Sequence, residues 1–267
     1  MRRPDPEPAR AATDAVIAVR GLRKEYRSSG GAVVALDDID FAVSEGEFVA
    51  ILGPSGCGKS TLLKIVAGLL PGSGGEVRLR DRPVTGPRHD VGMVFQSPVL
   101  FPWRTVLDNV LLPIEVQGLG RAKHRAQALE LLALVGLQGF ENRYPWELSG
   151  GMQQRVALTR SLIHEPDMLL MDEPFGALDA LTRETMNLEL QRIWLERRRT
   201  VLFVTHSIVE AVFLADRILV MTARPGRLLE SVPVPLPRPR ALDLMSTPAF
   251  GAIVHRIRAH FNARMEA

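Results

Sequence analysis

The sequence predicts an α/β protein with a mostly parallel β-sheet and an inserted group of helices. Short apolar runs typical of strands covered on both faces recur at EFVAILG, MLLMD, TVLFVTH and RILVMTA. A glycine-rich turn joins the first of these runs directly to an apolar helical segment, STLLKIVAGLL. Between residues 97 and about 165 the strand-like runs give way to helical spacing, as in RAQALELLALVGL. A helical subdomain is therefore expected to interrupt the sheet.

Length and composition are those of an ordinary globular protein. The chain has 267 residues, of which 46% are hydrophobic and 24% charged, enough for one large domain with an insertion. No apolar run reaches the roughly 18 residues needed to span a bilayer. The single cysteine, Cys57, excludes an internal disulfide and is typical of a reducing compartment. We therefore expect a cytosolic protein.

The two ends of the chain differ in composition from its middle. Residues 1–14 lack the apolar segment of a secretory signal and predict a disordered leader. The net charge is +3, and residues 231–267 hold five arginines against Asp243 and Glu266, which is the same excess. A solvated basic tail is favoured over contact with an acidic surface. No lysine-rich or aromatic-interleaved stripe is present, so we expect no nucleic acid partner.

In chain order, the elements begin with two strand-like segments, VIAVRGLRKEY and VVALDDIDFAV, in the opening fifty residues, and VGMVF predicts a further short strand. The main domain is assigned to residues 15–230. From residue 231 the alternating prolines of VPVPLPRPR predict a linker, because proline cannot continue a central strand or a helix. Apolar residues at helical spacing then predict a C-terminal amphipathic helix that docks on the domain or on a partner rather than on a membrane: Phe250, Ile253, Val254, Ile257 and Phe261.

The segment GPSGCGKST fits the phosphate-loop pattern GxxxxGK(S/T) and lies between a predicted strand and a predicted helix. Its glycines allow backbone amides to turn toward phosphates at the positive end of the helix. Lys59 is expected to neutralise the outer phosphates, and the Ser60 hydroxyl to ligate Mg²⁺. The predicted phosphate-binding residues are Gly53, Pro54, Ser55, Gly56, Cys57, Gly58, Lys59, Ser60 and Thr61. The sequence thus predicts the core of a P-loop nucleoside triphosphatase (NTPase).

Polar residues follow three of the predicted strands. Asp172 ends MLLMD, where a carboxylate would meet the Mg²⁺ of a bound nucleotide, and Glu173 is placed to orient a water for attack on the γ-phosphate. The alternative is a strand end with two solvated acids. Gln96 follows VGMVF, and His206 follows VLFVT, where an imidazole can donate to the γ-phosphate. The other histidines are assigned structural roles.

A second glycine turn, in LSGGMQQR, also opens a predicted helix. Ser149, Gly150 and Gly151 present a hydroxyl, free amides and a helix N-terminus, which together suit a phosphate. The chain therefore contains two phosphate-binding turns, although one nucleotide needs only the first.

Together these segments resemble the ATP-binding-cassette (ABC) ATPases over residues 15–227, with all motifs in the family's order. GPSGCGKST resembles the Walker A loop, VFQ the Q-loop, LSGGMQQR the signature, LLMDEP the Walker B strand, GALD the D-loop and VTHS the switch histidine. The resemblance implies a RecA-like core with a mostly parallel sheet, an N-terminal antiparallel β subdomain and an inserted α-helical subdomain. It also implies that the protein hydrolyses ATP with Mg²⁺.

The resemblance explains the second turn, because in this family two cassettes pair head to tail. Each ATP then lies between the Walker A loop of one subunit and the signature of the other, so a homodimer is expected and a lone subunit should be almost inert. The resemblance also implies that Gln96 contributes to the metal site, that Asp179 contributes to the nucleotide site and that Tyr26 stacks on adenine. A half-buried strand tyrosine is the alternative for Tyr26.

Two further segments, residues 95–115 and 224–240, resemble the ATPase subunits of nitrate/sulfonate/taurine-type bacterial importers. The transported molecule itself stays open among nitrate, a sulfonate, taurine and a pyrimidine-type vitamin precursor. The resemblance implies integral membrane permease subunits as partners, a periplasmic solute-binding protein acting indirectly, and a peripheral position on the cytoplasmic face of the inner membrane. The apolar turn from Phe101 to Trp103 would receive the permease. Packing within the insert is the alternative for these two aromatic residues.

Two functions of other classes remain open at this point. One is a soluble ABC ATPase of DNA repair or translation, although the long coiled-coil insertions or paired cassettes usual in that class are missing from this sequence. The other is a nucleotide-binding scaffold without turnover, against which Glu173 and His206 argue. A phosphate-release assay with the membrane partner would distinguish the scaffold from the ATPase.

Overall fold

The protein is described by a computed structural model over residues 15–28, 31–176 and 178–262. The predicted leader, residues 1–14, and Ala177 in the GALD turn lie outside the described residues. One of the two sheets is antiparallel, with the strand order β2-β1-β4-β5. Its strands are β1 (Ala15–Ser28), β2 (Gly31–Ser44), β4 (Gly74–Leu79) and β5 (Arg82–Pro83). The first two are longer than the short strands that the sequence predicts, and register shifts interrupt their pairing.

The second sheet has six strands in the order β10-β9-β3-β8-β7-β6. Its members are β3 (Phe48–Leu52), β6 (Val91–Val94), β7 (Met168–Asp172), β8 (Thr200–Thr205), β9 (Arg217–Met221) and β10 (Leu228–Pro233). All neighbours pair in parallel except β9 and β10. Every residue of β3, β7 and β8 is buried, which explains their continuous apolar sequences.

The helices cover the parallel sheet and form the insert. Their bounds are α1 (Lys59–Val66), α2 (Val106–Val110), α3 (Leu112–Val116), α4 (Arg121–Leu134), α5 (Gly150–Leu162), α6 (Ala180–Arg197), α7 (Ile208–Leu214) and α8 (Pro248–Asn262), with 3₁₀ turns at Pro145–Glu147 and Leu242–Ser246. Helices α2 to α5 all lie between β6 and β7 in the chain. The predicted fold class, including the antiparallel sheet and the helical insert, is confirmed. Among the described residues, no helix is both long and apolar enough to cross a membrane.

The parallel sheet separates two apolar cores. One core lies between this sheet, helix α1 and the antiparallel sheet, and includes Leu62 and Ile51. The other includes Phe48 and Phe203 and continues into the helical insert and the C-terminal segment. Because alternate residues of a strand face opposite sides, each buried strand contributes to both cores. The carboxyl ends of five parallel strands are thereby fixed along one edge.

The C-terminal segment packs on the second core. The sequence predicts a domain boundary between residues 230 and 231. Strand β10 continues through this boundary and extends the main sheet as far as Pro233. In α8, Phe250 and Ile257 are buried, and the other residues of the predicted apolar stripe pack beside them. The amphipathic helix is thus present and docks on this chain.

The prediction of a solvated basic tail is wrong for two of its arginines. Arg240 is 2% exposed, and its guanidinium donates to the carbonyl oxygens of Val212, Phe213 and Ala215 at distances of 2.8 to 3.0 Å. Arg238 pairs with Asp216 and lies over the Trp194 ring. Burial lowers the pKa of Arg240 to about 10, with the nearby Arg238 adding to the effect. These arginines fasten the linker to the end of α7, where helix carbonyls lack partners within the helix.

Candidate functional site

The phosphate loop leaves the end of β3 and enters α1, as its sequence predicts. Two of its glycines have positive φ, +75° at Gly56 and +105° at Gly58. A Cβ at Gly58 would lie 2.7 Å from Leu36 Cδ2, and one at Gly53 would lie 2.8 Å from Cys57 Sγ. The loop path therefore requires glycine both for backbone conformation and for close packing. The Cys57 side chain is buried beneath the loop, and burial raises the pKa of its thiol.

Lys59 lies at the start of α1 with only 4% of its surface exposed. Its ammonium donates to the carbonyl oxygens of Gly53 at 2.8 Å and Pro54 at 3.1 Å. The same Nζ lies 3.6 Å from Oε1 of Glu173. The lysine charge is thus held inside the loop by groups that a triphosphate can replace.

Ser60 and Asp172 face each other at the edge of the sheet. The Ser60 hydroxyl donates to Asp172 Oδ1 at 2.7 Å. Burial raises the pKa of the Asp172 carboxyl, and the hydrogen bond from Ser60 opposes that rise. Two oxygen donors with an ionisable carboxylate in a buried position fit a Mg²⁺ ion that takes its remaining ligands from phosphates and water. The described residues contain no cluster of three or more His, Cys, Asp and Glu able to hold a metal, so the fit depends on such outside ligands.

Glu173 has a backbone conformation that turns it out of the strand. Its φ is +43°, which is uncommon for a residue with a side chain, and its amide donates to Val204 O at 2.9 Å. The carboxylate consequently reaches across to the end of β8, where Oε2 lies 2.8 Å from Nδ1 of His206. Glu173 is thereby placed between the Lys59 ammonium and the His206 imidazole.

A buried acid supports the turn that presents His206. The Thr205 hydroxyl donates to Glu210 Oε2 at 2.5 Å, and Arg183 Nε lies 3.4 Å from the other carboxylate oxygen. Burial raises the pKa of Glu210, while these two partners lower it. Glu210 was not predicted as a site residue, because it belongs to no motif and is the single acid in the otherwise apolar helix α7, IVEAVFL. Its contacts fix the start of α7 directly after the histidine.

A cavity of about 480 Å³ opens above the phosphate loop. Its lining residues are Tyr26, Val33, Ala35, Ser55, Gly56, Gly58, Lys59, Ser60, Thr61, Gln96, Glu173 and Arg224. The Tyr26 ring is 43% exposed, and its hydroxyl lies 3.3 Å from Thr61 Oγ1. Tyr26 lies in strand β1, and its exposure fits both a contact with adenine and the half-buried strand tyrosine considered as the alternative, so the stacking role stays a prediction. Arg224 was not predicted as a site residue, although its segment was noted for its resemblance to importer subunits.

The second phosphate turn is formed but lies apart from this cavity. Ser149 caps helix α5, with its Oγ accepting from the Met152 amide at 3.3 Å. Ser149 and Gly150 are exposed, and Gly151 is partly exposed. None of the three is among the residues that line the cavity in the described part of the chain. One chain thus contains a phosphate cradle and, elsewhere, an exposed helix N-terminus suited to a phosphate.

Asp179, expected at the nucleotide site, caps helix α6. Its carboxylate accepts from the Thr182 amide at 3.0 Å and from the Thr182 hydroxyl at 2.6 Å. The hydrogen bond from that hydroxyl lowers the pKa of Asp179. The residue is exposed and does not line the cavity of its own chain. Like Ser149, it is available to a neighbouring molecule.

The apolar turn of the insert is exposed and held rigidly from below. Phe101 and Trp103 stack with ring centroids 5.1 Å apart, and Trp103 is 71% exposed. The buried Asn109 side chain accepts from the Phe101 amide and donates to the Phe101 carbonyl. Exposure of Trp103 argues against packing within the insert as its role. The turn follows closely after Gln96, which lines the cavity.

The chain is similar to known proteins of one family. The family described as ABC transporter matches residues 36–176. An uncharacterized ABC transporter ATP-binding protein of Methanocaldococcus jannaschii is 51% identical over 222 residues, 83% of each chain. The taurine import ATP-binding protein of Rhizobium johnstonii is 48% identical, covering 86% of this chain and 90% of its own. The aliphatic sulfonates import ATP-binding protein of Bacillus licheniformis is 42% identical, covering 92% and 94%.

A solved structure shows the same fold in a paired state. It is the dimeric structure of a post-hydrolysis state of an ATP-binding cassette bound to ADP and Pi. The two chains superimpose with a TM-score of 0.71 at 33% identity, over 82% of this chain and 98% of the other.

Proposed function

The chain belongs to the ABC transporter family and is an ATPase, and we propose that it energises a bacterial importer of small solutes of the nitrate, sulfonate and taurine class. The relatives named for import of taurine and aliphatic sulfonates support this class, since the similarity covers 86% and 92% of this chain. The exposed Trp103 turn on the helical insert supports a membrane subunit as partner. No coiled-coil insertion separates helices α2 to α5, which argues against a role in DNA repair or translation.

One observation carries the mechanism: the chain has both halves of a nucleotide site, and they do not meet. The cavity above the phosphate loop is open, whereas Ser149 and Gly150 are exposed elsewhere at the N-terminus of α5. A second copy placed head to tail would bring each exposed helix terminus over the other's cavity. In this homodimer Ser149 and the backbone amides of Gly150 and Gly151 would bind the γ-phosphate, and Asp179 would face the partner.

Within one composite site the residues would divide the work as follows. Tyr26 would stack on adenine, and the loop amides from Gly53 to Thr61 would surround the phosphates. Ser60, Asp172 and Gln96 would hold Mg²⁺, which when bound neutralises phosphate charge. Lys59 would leave the carbonyl oxygens that it contacts at 2.8 and 3.1 Å and neutralise the outer phosphates.

Glu173 and His206 would act on the attacking water and the γ-phosphate. The Glu173 carboxylate would accept a hydrogen bond from the water and polarise it for attack. In the doubly protonated imidazolium form, His206 would donate from Nδ1 to that carboxylate and from Nε2 to the γ-phosphate. The imidazole thereby holds both the carboxylate and the phosphate in position. Product release would reopen the dimer.

The chain would be bound peripherally to permease subunits on the cytoplasmic face of the inner membrane. The turn from Phe101 to Trp103 would receive the permease, and Gln96, a few residues earlier and at the cavity wall, would link nucleotide binding to that turn. A periplasmic solute-binding protein would act indirectly, by loading the permease from the other side.

Transport reconstitution tests the proposal. The chain is co-purified with permease subunits of the nitrate, sulfonate and taurine class from the same organism, placed in proteoliposomes and supplied with a solute-binding protein of that class. We expect ATP hydrolysis to rise several-fold with taurine, an alkanesulfonate or nitrate, and not with an amino acid or a sugar. Replacing Trp103 by Ala should weaken co-purification about tenfold or more, because exposed aromatic anchors dominate interface energies. Replacing Val116, 75% exposed on the same insert, by Ala is the matched control.

Three results would contradict the proposal. If the chain binds ATP and releases no phosphate in the assembled complex, it is a scaffold. If it hydrolyses ATP equally well with and without the permease, coupling through the Trp103 turn is wrong. If a solute outside the proposed class stimulates hydrolysis, the importer function stands but the proposed substrate class is wrong.

A further inference from the structure

The loop that follows β9, residues 222–227, is built rigidly against the phosphate loop. The Thr222 hydroxyl lies within hydrogen-bonding distance of the carbonyl oxygens of Ala223 and Pro225, and it accepts from the Arg227 amide at 3.0 Å. The Gly226 amide donates to Ala35 O at 2.9 Å. A Cβ at Gly226 would lie 2.1 Å from Cys57 O, so only glycine allows this approach.

Arg224 projects from this loop over the phosphate loop. Its Nε donates to the Gly56 carbonyl at 2.8 Å, and its side chain lines the cavity. A Cβ at Gly56 would lie 3.5 Å from one of its terminal nitrogens. Among the described residues, those two terminal nitrogens have no hydrogen-bond or ion-pair partner. The next arginine of the loop, Arg227, differs in this respect because it pairs with Asp37.

We propose that Arg224 is a nucleotide-binding residue, and that its free terminal N–H groups bind a phosphate group of the nucleotide in this cavity. The proposal rests on the proposed nucleotide site. A guanidinium presents five N–H donors in a fixed fork, and here only the Nε donor is used. The bond to Gly56 fixes the fork before the ligand arrives, which reduces the side-chain entropy lost on binding.

The charged residues around the cavity favour contact of Arg224 with the phosphates rather than with the base. The cavity wall contains Lys59 and Arg224 as its cations and Glu173 as its carboxylate. Glu173 already contacts the Lys59 ammonium and the His206 ring, whereas Arg224 has no acidic partner among the described residues. A cation without a counterion beside a phosphate cradle attracts polyanions, and its bonds to them are charge-assisted.

A purely structural role makes a different prediction. If Arg224 only braces Gly56, a neutral side chain that can still donate to the Gly56 carbonyl should preserve nucleotide affinity. Glutamine has such an amide donor without the charge, and lysine has the charge without the fork. The two substitutions therefore separate bracing from phosphate binding.

The test measures ADP and ATP binding to the full-length chain by titration calorimetry, with EDTA present to prevent turnover. We expect Arg224→Gln and Arg224→Ala each to weaken binding of both nucleotides about tenfold, and Arg224→Lys to lose about threefold or less. The dependence of affinity on salt should be shallower in Arg224→Gln, since one cation–phosphate pair is gone. Arg227→Gln, which removes a charge from the same loop, should bind within twofold of the wild type.

The outcomes separate this inference from the function on which it rests. Thermal unfolding without nucleotide should be unchanged in Arg224→Gln, whereas the rise in Tm caused by ADP should shrink. Binding by Arg224→Gln within twofold of the wild type overturns the role of Arg224. Failure of the wild type itself to bind ADP, or unchanged binding in Lys59→Ala, would instead overturn the nucleotide site.

Discussion

The carboxylate of Glu173 is hydrogen-bonded to the imidazole of His206, with 2.8 Å between Oε2 and Nδ1. The bond connects the ends of two neighbouring strands, β7 and β8, and it requires the positive φ of Glu173. The second carboxylate oxygen lies 3.6 Å from the Lys59 ammonium. One acid thus links the lysine of the phosphate loop to the histidine on the next strand.

Replacing Glu173 by Gln should stop hydrolysis and leave nucleotide binding intact. The amide keeps the size of the side chain and its bond to His206, but it cannot polarise water, so turnover should fall roughly 10²-fold or more. With Mg·ATP the variant should elute as a stable dimer on gel filtration. Glu130→Gln, an exposed change on α4, should behave like the wild type. A Glu173→Gln protein that stays monomeric with Mg·ATP would contradict the composite site.

Two inactive variants should restore activity when mixed. A Cβ at Gly150 meets no atom within 4 Å, so Gly150→Asp can fold, and an acid in the first turn suits the helix. Its charge should nevertheless repel the γ-phosphate of the partner's nucleotide. In an equal mixture of Gly150→Asp and Lys59→Ala, half of the dimers contain one copy of each variant. Each mixed dimer keeps one intact site, which combines the phosphate loop of Gly150→Asp with the Ser149 turn of Lys59→Ala. If the sites act independently, the mixture should reach about a quarter of wild-type hydrolysis.

The mixing experiment has two controls, one at position 150 and one at position 59. Gly150→Asn adds a side chain of similar size without the charge, and it should retain much more activity than Gly150→Asp alone. Mixing Lys59→Ala with itself should restore nothing. Full activity of Gly150→Asp by itself would show that this turn does not meet a phosphate.

Replacing Arg240 by Ala should lower the free energy of unfolding by about 3 kcal/mol, since buried carbonyl oxygens would lose their donors. Five carbonyl oxygens accept from this guanidinium, including those of Val234 and Leu236. Denaturant unfolding measures the change. Arg258→Ala, an exposed arginine on α8, should alter stability by less than about 0.5 kcal/mol. A similar small change for Arg240→Ala would show that the linker is not fastened by this residue.

Stability should fall as the pH is lowered through the range below about 6.5, in part because of His164. Burial lowers the pKa of this imidazole, and its Nδ1 is buried without a partner in the described structure. Since the folded state resists protonation more than the unfolded state, acid favours unfolding once the pH drops below the unfolded pKa. His164→Gln should flatten the curve of Tm against pH in this range, and His255→Gln, at an exposed position, should not. Parallel curves for wild type and His164→Gln would refute the assignment.

Much of the fold could be predicted from the sequence because its central strands are buried on both faces. The continuous apolar runs at β3, β7 and β8 leave few other interpretations, and the glycines of residues 53–58 require the turn that they form. The tail arginines were misjudged for the opposite reason. The carbonyl groups that accept from Arg240 belong to residues 212–215 and to the linker, so their proximity depends on tertiary packing that spacing in the sequence does not contain.

The residues of the candidate site also fall into those that could be predicted from the sequence and those that could not. Lys59, Asp172, Glu173 and His206 were expected together because the carboxyl ends of parallel strands share one edge, and the structure brings them together. Their roles remain predictions. Arg224 and Glu210 could not be predicted, since the first depends on Gly226 touching Cys57 and the second on Arg183 from another helix.

The burial of Phe250 and Ile257 has a consequence for biosynthesis. These side chains from the last described helix complete the same core that contains Phe48 and Phe203 of the central strands. A nascent chain emerging from the ribosome therefore has the phosphate loop and its neighbouring strands outside long before the residues that seal their far side are made. Packing of Phe250 and Ile257 on this core must wait until translation has passed residue 257, and until then the apolar surface that they cover is exposed to chaperones and to other nascent chains.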